Sequence, residues 1–343
     1  MAPLAVPRLA FLVPGNYDDA DPRTGLEETL ALLAEGEALG FDGAWVRQRH
    51  LEPGISSAAT FLAAATQRTR RIGLGVAVIQ MGYENPFRLA EDLSLVDVLS
   101  GGRLEVGLSA GPPPLGRLLG GRFHDGDPDA VDHSHRRVAR LAGNLDGDWL
   151  GEPDARITSA AGSHRPRLRP HAPGLRRRLW YGAGSLRSVR WAAENGFHLL
   201  VGNVNTAEET ADFLDVQARH VTTFRSQWRG ADAPRIAVGR VILPLDGADA
   251  ATRERYRAFA AGRHARTLAP QLGQGTGERR TLFAPDLVGT AAELVERLRA
   301  DPILPFADTL RVELPYAFAA ADYRQILADI ATLVAPGLGW CAA

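Results

Sequence analysis

Short apolar runs alternate with amphipathic stretches along the whole chain, and glycine, proline and capping residues separate them. Arg8–Val13 is an apolar run, followed by a helix expected from about Gly25 to Leu39 whose Leu26, Leu30 and Leu33 share one face. Thr24-x-x-Glu27 has the form of a capping box at its start, and Gly40 can end it. Gly43–Arg47 reads as a second strand, Ser57–Gln67 as the next helix and Ile72–Ile79 as a third strand. Asn85 caps a helix over Pro86–Leu99 that carries proline in its first turn. Leu104–Ser109 is the fourth strand, and a helix lies near Asp132–Asp146.

The second half keeps the rhythm. Leu179–Gly182 precedes a helix at Ser185–Asn195, and Phe197–Gly202 precedes one after Thr206, where Thr206-x-x-Glu209 has the form of another capping box. Arg235–Leu243 is followed by helical segments near Asp249–Leu268 and Thr290–Arg299, and Thr309–Leu314 by Ala320–Val334. Eight such units predict an α/β fold, a (β/α)8 TIM barrel forming one domain over residues 1–343. An open doubly wound sheet is the alternative, because counting strands does not establish closure. Three connections are long: Pro112–Val131 after strand four, the arginine-rich Gly147–Arg178, and Gln271–Pro285 after strand seven. The first and third are expected as insertions at the catalytic mouth.

Composition narrows the chemistry. The chain has 343 residues, 45% of them hydrophobic, and a net charge of −1, so it can bury a large core but lacks the basic excess of a nucleic-acid or membrane-surface binder. With no apolar run of about 18 residues, no transmembrane helix is expected. MAPLAVPRLAFLVPG is too short in its apolar part for a signal peptide, so a cytoplasmic location is expected. The lone Cys341 rules out an internal disulfide and a cysteine metal cage. Asp132-His133-Ser134-His135 and His124-Asp125-Gly126-Asp127 have metal-like spacing but read as solvated polar segments, so no metal site is expected. All 39 basic residues are arginine. Schiff-base catalysis, pyridoxal-phosphate anchoring and a phosphate-loop lysine are therefore unavailable.

Tyr181-Gly182-Ala183-Gly184-Ser185-Leu186-Arg187-Ser188 lies at a strand-to-helix junction. Free N–H groups at a helix start can hold phosphate without lysine, with Ser185 and Ser188 adding hydroxyls. An ordinary helix cap is the alternative. The three-glycine dinucleotide fingerprint is absent.

Residues 59–111 run from a helix ending in Thr69-Arg70-Arg71 through a glycine-bearing strand, Asn85-Pro86 and Ser100-Gly101-Gly102-Arg103 to a strand ending in small residues. Together with Tyr181–Asn205, with Trp191-Ala192-Ala193 within it, this order resembles the bacterial-luciferase-like flavin-dependent monooxygenases. The resemblance implies that FMN places its phosphate on Gly184, Ser185 and Ser188, with Asn203 also beside the cofactor. It sets the flavin ring near Ala77–Val78, where many members have a non-prolyl cis peptide. Glu91 matches a carboxylate near the flavin, and Ala110, where some relatives have a larger or basic residue, matches the backbone edge after strand four.

Where the family often has Glu-His-His, this chain reads Gln48-Arg49-His50. Arg49 stands at the histidine credited with chemistry; it is no base near neutrality but can stabilise an anion. His50 can titrate in the useful range. The implied activity uses O2 and reduced FMN, supplied by a partner flavin reductase, on an organic small molecule, and a homodimer is implied as well. Coenzyme F420-dependent hydride transfer and a non-catalytic flavin-binding barrel are the alternatives.

Overall fold

The computed structural model describes residues 4–113, 115–206, 208, 210, 212–268 and 281–342. Eight parallel strands form a closed barrel: Arg8–Val13 (β1), Gly43–Val46 (β2), Gly73–Gln80 (β3), Leu104–Ser109 (β4), Leu179–Gly182 (β5), His198–Val201 (β6), Ile236–Arg240 (β7) and Thr309–Glu313 (β8). Each strand pairs with its sequence neighbours, and β8 returns to β1 with Leu12 opposite Glu313. Closure excludes the open sheet.

Strand periodicity divides the core. Leu9, Phe11 and Val13 pack outward against the helices, while Ala10 and Leu12 point inward with Trp45, Trp180, Leu200 and Ala237. Trp45 and Trp180 meet edge to face, with centroids 5.8 Å apart, and fill the interior. Being buried on both faces is what makes these strands read as apolar runs.

Two helix starts differ from the expected ones. The first helix spans Pro22–Ala38, because Asp21 accepts the Thr24 N–H and Pro22 suits the first turn. Thr24 is thus inside the helix rather than its cap. Thr206 belongs to a short strand, Val204–Thr206, and the following helix, Phe213–Gln227, is capped by Asp212. Glu209, the other half of the expected box, lies outside the described residues.

The loop after β4 carries only short helical turns and is anchored where Gly111 N–H donates to the His133 carbonyl. Of the segment expected as an insertion after β7, residues 271–280 lie outside the described residues. The described part contains Thr281–Phe283, which pairs antiparallel with Val204–Thr206 and sets Phe283 opposite Val204. Ala284 N–H donates to the Asn203 carbonyl beside it. The connection after β7 therefore crosses to the end of β6, at the barrel mouth. Gly147–Arg178 contains a small hairpin, Ile157–Ser159 with Gly162–His164, and the guanidinium groups of Arg165 and Arg167 both lie over the Trp149 ring.

Candidate active site

At the C-terminal ends of the strands, the usual functional face of such barrels, a cavity of about 280 Å³ is bounded by Ala77, Val78, Gly182–Gly184, Asn203, Arg311 and Glu313. The Ala77–Val78 peptide bond is cis. A Cβ on Gly182 would stand 3.0 Å from Val78 Cγ1, so glycine leaves room in front of that side chain. Arg47, Asn203 and Val204 also line a second pocket of about 600 Å³, whose walls include Phe259, Phe283, Leu314 and Tyr316. A cavity of about 810 Å³ beside β1 shares no residue with either and contains none of the expected cofactor residues.

The inner end of the smaller cavity carries a buried charge cluster. Glu313 accepts from Arg47 Nη2 at 3.1 Å and from Arg311 Nη2 at 3.0 Å. Burial opposes ionisation of Glu313, yet Arg47 and Arg311 hold its carboxyl below the usual range. Arg311 Nε and Nη1 and Arg47 Nε have no hydrogen-bond partner among the described residues. Two cations facing one carboxylate leave the inner end with net positive charge and spare donors. Gly239 is needed here, because a Cβ would overlap the Glu313 carboxylate. The strand patterns did not single out Arg311 or Glu313, and only closure shows that both face inward.

The helix Leu186–Glu194 begins beside the cavity, capped by Ser185, whose Oγ accepts the Ser188 N–H. Leu186 N–H donates to Glu208 Oε1 at 2.9 Å, and Glu208 Oε2 lies 3.0 Å from His220 Nε2. A carboxylate thus already occupies one of the donors expected for phosphate. Tyr181 joins the neighbouring strand end: its hydroxyl accepts Ala110 N–H at 3.1 Å and also bonds Ser188. His135 stacks on Trp191, with centroids 4.4 Å apart, and sits 5.5 Å from Tyr181. The solvated reading of Asp132–His135 missed this packing, which no spacing pattern announces.

Not all the expected residues converge. Ala77, Val78, Gly184 and Asn203 line the smaller cavity, and Ser185, Ser188 and Ala110 flank it through the helix start and Tyr181. Glu91 does not join them. It pairs with Arg88 on its own helix and lines neither pocket, because its position one turn along turns it toward that arginine. Arg49 lines the larger pocket, where Nε and Nη2 donate to the Tyr316 hydroxyl at 3.2 and 3.0 Å. His50 lines neither pocket; its ring stacks on Tyr83 at 3.9 Å, and burial holds its pKa below the ordinary value.

Gln48 explains part of that arrangement. It is buried, accepts Ala58 N–H, and donates to Glu84 Oε1 at 2.9 Å, with His50 Nε2 3.0 Å from the same nitrogen. A glutamate here would set a second carboxylate against Glu84, whose own pKa burial already raises. No group of three or more His, Cys, Asp or Glu suited to a metal occurs among the described residues. Nor is any of their helices long and apolar enough to cross a membrane.

Fold and site together define a (β/α)8 barrel with an anion-accepting helix start beside a mouth cavity. The luciferase-like monooxygenase family model matches residues 8–301, and the chain belongs to that family. It is 33% identical to limonene 1,2-monooxygenase of Rhodococcus erythropolis over 64% of this chain and 58% of that one. Identity to 4-hydroxyprotoasukamycin monooxygenase of Streptomyces nodosus subsp. asukaensis is 30%, over 84% and 80% of the two chains. The chain spans about half of the length of some curated relatives it matches.

Among solved structures, monooxygenase RslO1 from Streptomyces bottropensis shares the fold at a TM-score of 0.69 and 19% identity, covering 96% of this chain and 99% of that one. The oxygenating constituent of 3,6-diketocamphane monooxygenase from Pseudomonas putida, solved with FMN, matches at 0.64 and 15%, covering 96% and 98%. An F420-dependent secondary alcohol dehydrogenase matches at 0.59 and 13%, also covering 96% and 98%.

Proposed function

We propose that the chain is the oxygenating component of an FMN-dependent monooxygenase, taking reduced FMN from a separate reductase and using O2 on an organic small molecule. The observation that carries this reading is the adjacency of two spaces, a small polar-ended cavity at Ala77, Val78 and Gly182–Gly184 and a larger, mostly apolar pocket that shares Arg47, Asn203 and Val204 with it. A cofactor ring fits the first and a substrate the second.

The donor set suits FMN. Ser185, Ser188 and the first-turn N–H groups hold the phosphate; Glu208 on the Leu186 N–H supports this, because that N–H already donates to an anionic oxygen. Ala77 and Val78 support the ring, and Asn203 stands at its edge. Arg47 and Arg311 place positive charge where a reduced, anionic ring needs it. Bound FMN supplies the electrons with which O2 is reduced and one oxygen atom is inserted. The Val204–Phe283 pairing shields the mouth from water. Arg49 orients substrate, and we assign His50 a positioning role through Gln48.

A homodimer belongs to the same proposal. Leu95, Val98 and Leu99, about half exposed along one helix, support it. Likeness to an F420-dependent barrel supports hydride transfer as the second reading. Anaerobic titration with reduced FMN and reduced F420, followed by O2, separates the two: preference for FMN and oxygen-dependent turnover support the first, and F420 turnover without O2 the second.

A further inference from the structure

The larger pocket carries three arginines, and their partners differ. Arg47 lies 3.1 Å from Glu313, and Arg263 lies 3.3 Å from Asp286. Arg49 has no ion-pair partner among the described residues, and the nearby Glu52 is exposed to solvent. Its guanidinium is held by Tyr316, which accepts both Nε–H and Nη2–H through its hydroxyl oxygen. The hydroxyl's own proton has no acceptor among the described residues. One cation with no ion-pair partner among the described residues and one spare O–H donor therefore stand together at the pocket wall. Among the described residues that line the pocket there is no carboxylate, and Phe259, Phe283, Val241 and Leu314 give it apolar wall.

From this arrangement we propose that the substrate is a ring-bearing small carboxylic acid, bound as its anion, a refinement that rests on the monooxygenase reading above. The carboxylate accepts from Arg49 and the Tyr316 hydroxyl, in the charge-assisted geometry that a planar guanidinium provides. The ring lies against Phe259 and Phe283. That leaves the far end of the molecule toward Arg47 and Asn203, the residues shared with the cofactor cavity. A neutral analogue would leave Arg49 without its anion, which is how a polar site rejects a ligand lacking the matching group.

The test compares 3-phenylpropanoate with 3-phenylpropan-1-ol by calorimetric titration of the full chain, with FMN affinity measured in parallel. The acid should bind at least tenfold more tightly than the alcohol. Arg49→Ala should abolish that preference, Tyr316→Phe should reduce it several-fold, and Arg49→Lys should keep part of it, all with FMN affinity within about twofold of wild type. Equal binding of the two probes, no binding of either at millimolar concentration, or a preference surviving Arg49→Ala would overturn the proposal. Should Arg49→Ala not fold, Arg49→Gln and Tyr316→Phe carry the same comparison. Failure of the wild-type chain to bind FMN would instead sink the cofactor reading, and leaves the acid-versus-alcohol comparison to be judged by itself.

Discussion

Arg311 and Glu313 stand two residues apart on β8, so both side chains enter the barrel, and Arg311 Nη2 lies 3.0 Å from Glu313 Oε1. Each is about 3% exposed. Arg47 reaches the other oxygen of the same carboxylate from the end of β2. The pair thus ties the closing strand to the cavity and fixes the charge at its inner end.

Glu313→Gln should be costly. It leaves two guanidinium groups facing each other with no buried counter-charge, and breaking a buried pair on one side typically costs about 3–5 kcal/mol. Denaturant unfolding should show the loss, whereas a change under 1 kcal/mol would mean that water already solvates the cluster.

Ser185→Ala with Ser188→Ala should weaken FMN binding by about 1–3 kcal/mol, the cost of losing hydrogen bonds to a charged group. Flavin fluorescence on titration reads this directly. Unchanged affinity would move the phosphate away from this helix start.

Arg49→Ala should lower turnover at limiting substrate far more than it lowers FMN affinity, since Arg49 lines the larger pocket, proposed for substrate, and not the smaller cavity proposed for the cofactor. His50→Ala should have the smaller effect. Steady-state kinetics on both variants, with flavin affinity as the control, would expose an inverted order.

His198 predicts a pH dependence of stability. Burial, then the Arg235 charge, lowers its pKa to about 4, and its two nitrogens already bond the Arg177 carbonyl and the Arg235 N–H. The ordinary value is 6.5. Above it both folded and unfolded states are neutral, so the contribution is complete. Between 6.5 and about 4 the unfolded chain takes the proton first, and stability falls as pH falls, by up to about 3 kcal/mol. Unfolding across pH 4–7 should show this slope, and His198→Gln should flatten it.

The barrel is legible in the sequence because the strands are short apolar runs and several helices carry their own start signals, such as Asn85-Pro86 or Ser57. The helix-start residues Ser185 and Ser188 are legible for the same local reason. Arg311 and Glu313 are not, since which side of β8 faces inward depends on closure with β1, more than 290 residues away. Tyr316 escapes too: its role exists only through Arg49, 267 residues distant. Glu91, expected near the flavin, pairs with Arg88 on its own helix and lines neither pocket, a local contact that the resemblance does not convey. Gln48 and His50 are set by the side chains of Glu84 and Tyr83, which no motif spacing encodes.

The most direct measurement mixes the protein anaerobically with reduced FMN and, separately, with reduced F420, admits O2 and follows the cofactor absorbance. FMN-dependent oxygenation requires tight binding of reduced FMN and slower return of the oxidised-flavin band than for free FMN, because the site screens the ring from water. Selective binding of F420, or reoxidation of FMN at the free rate, would contradict it.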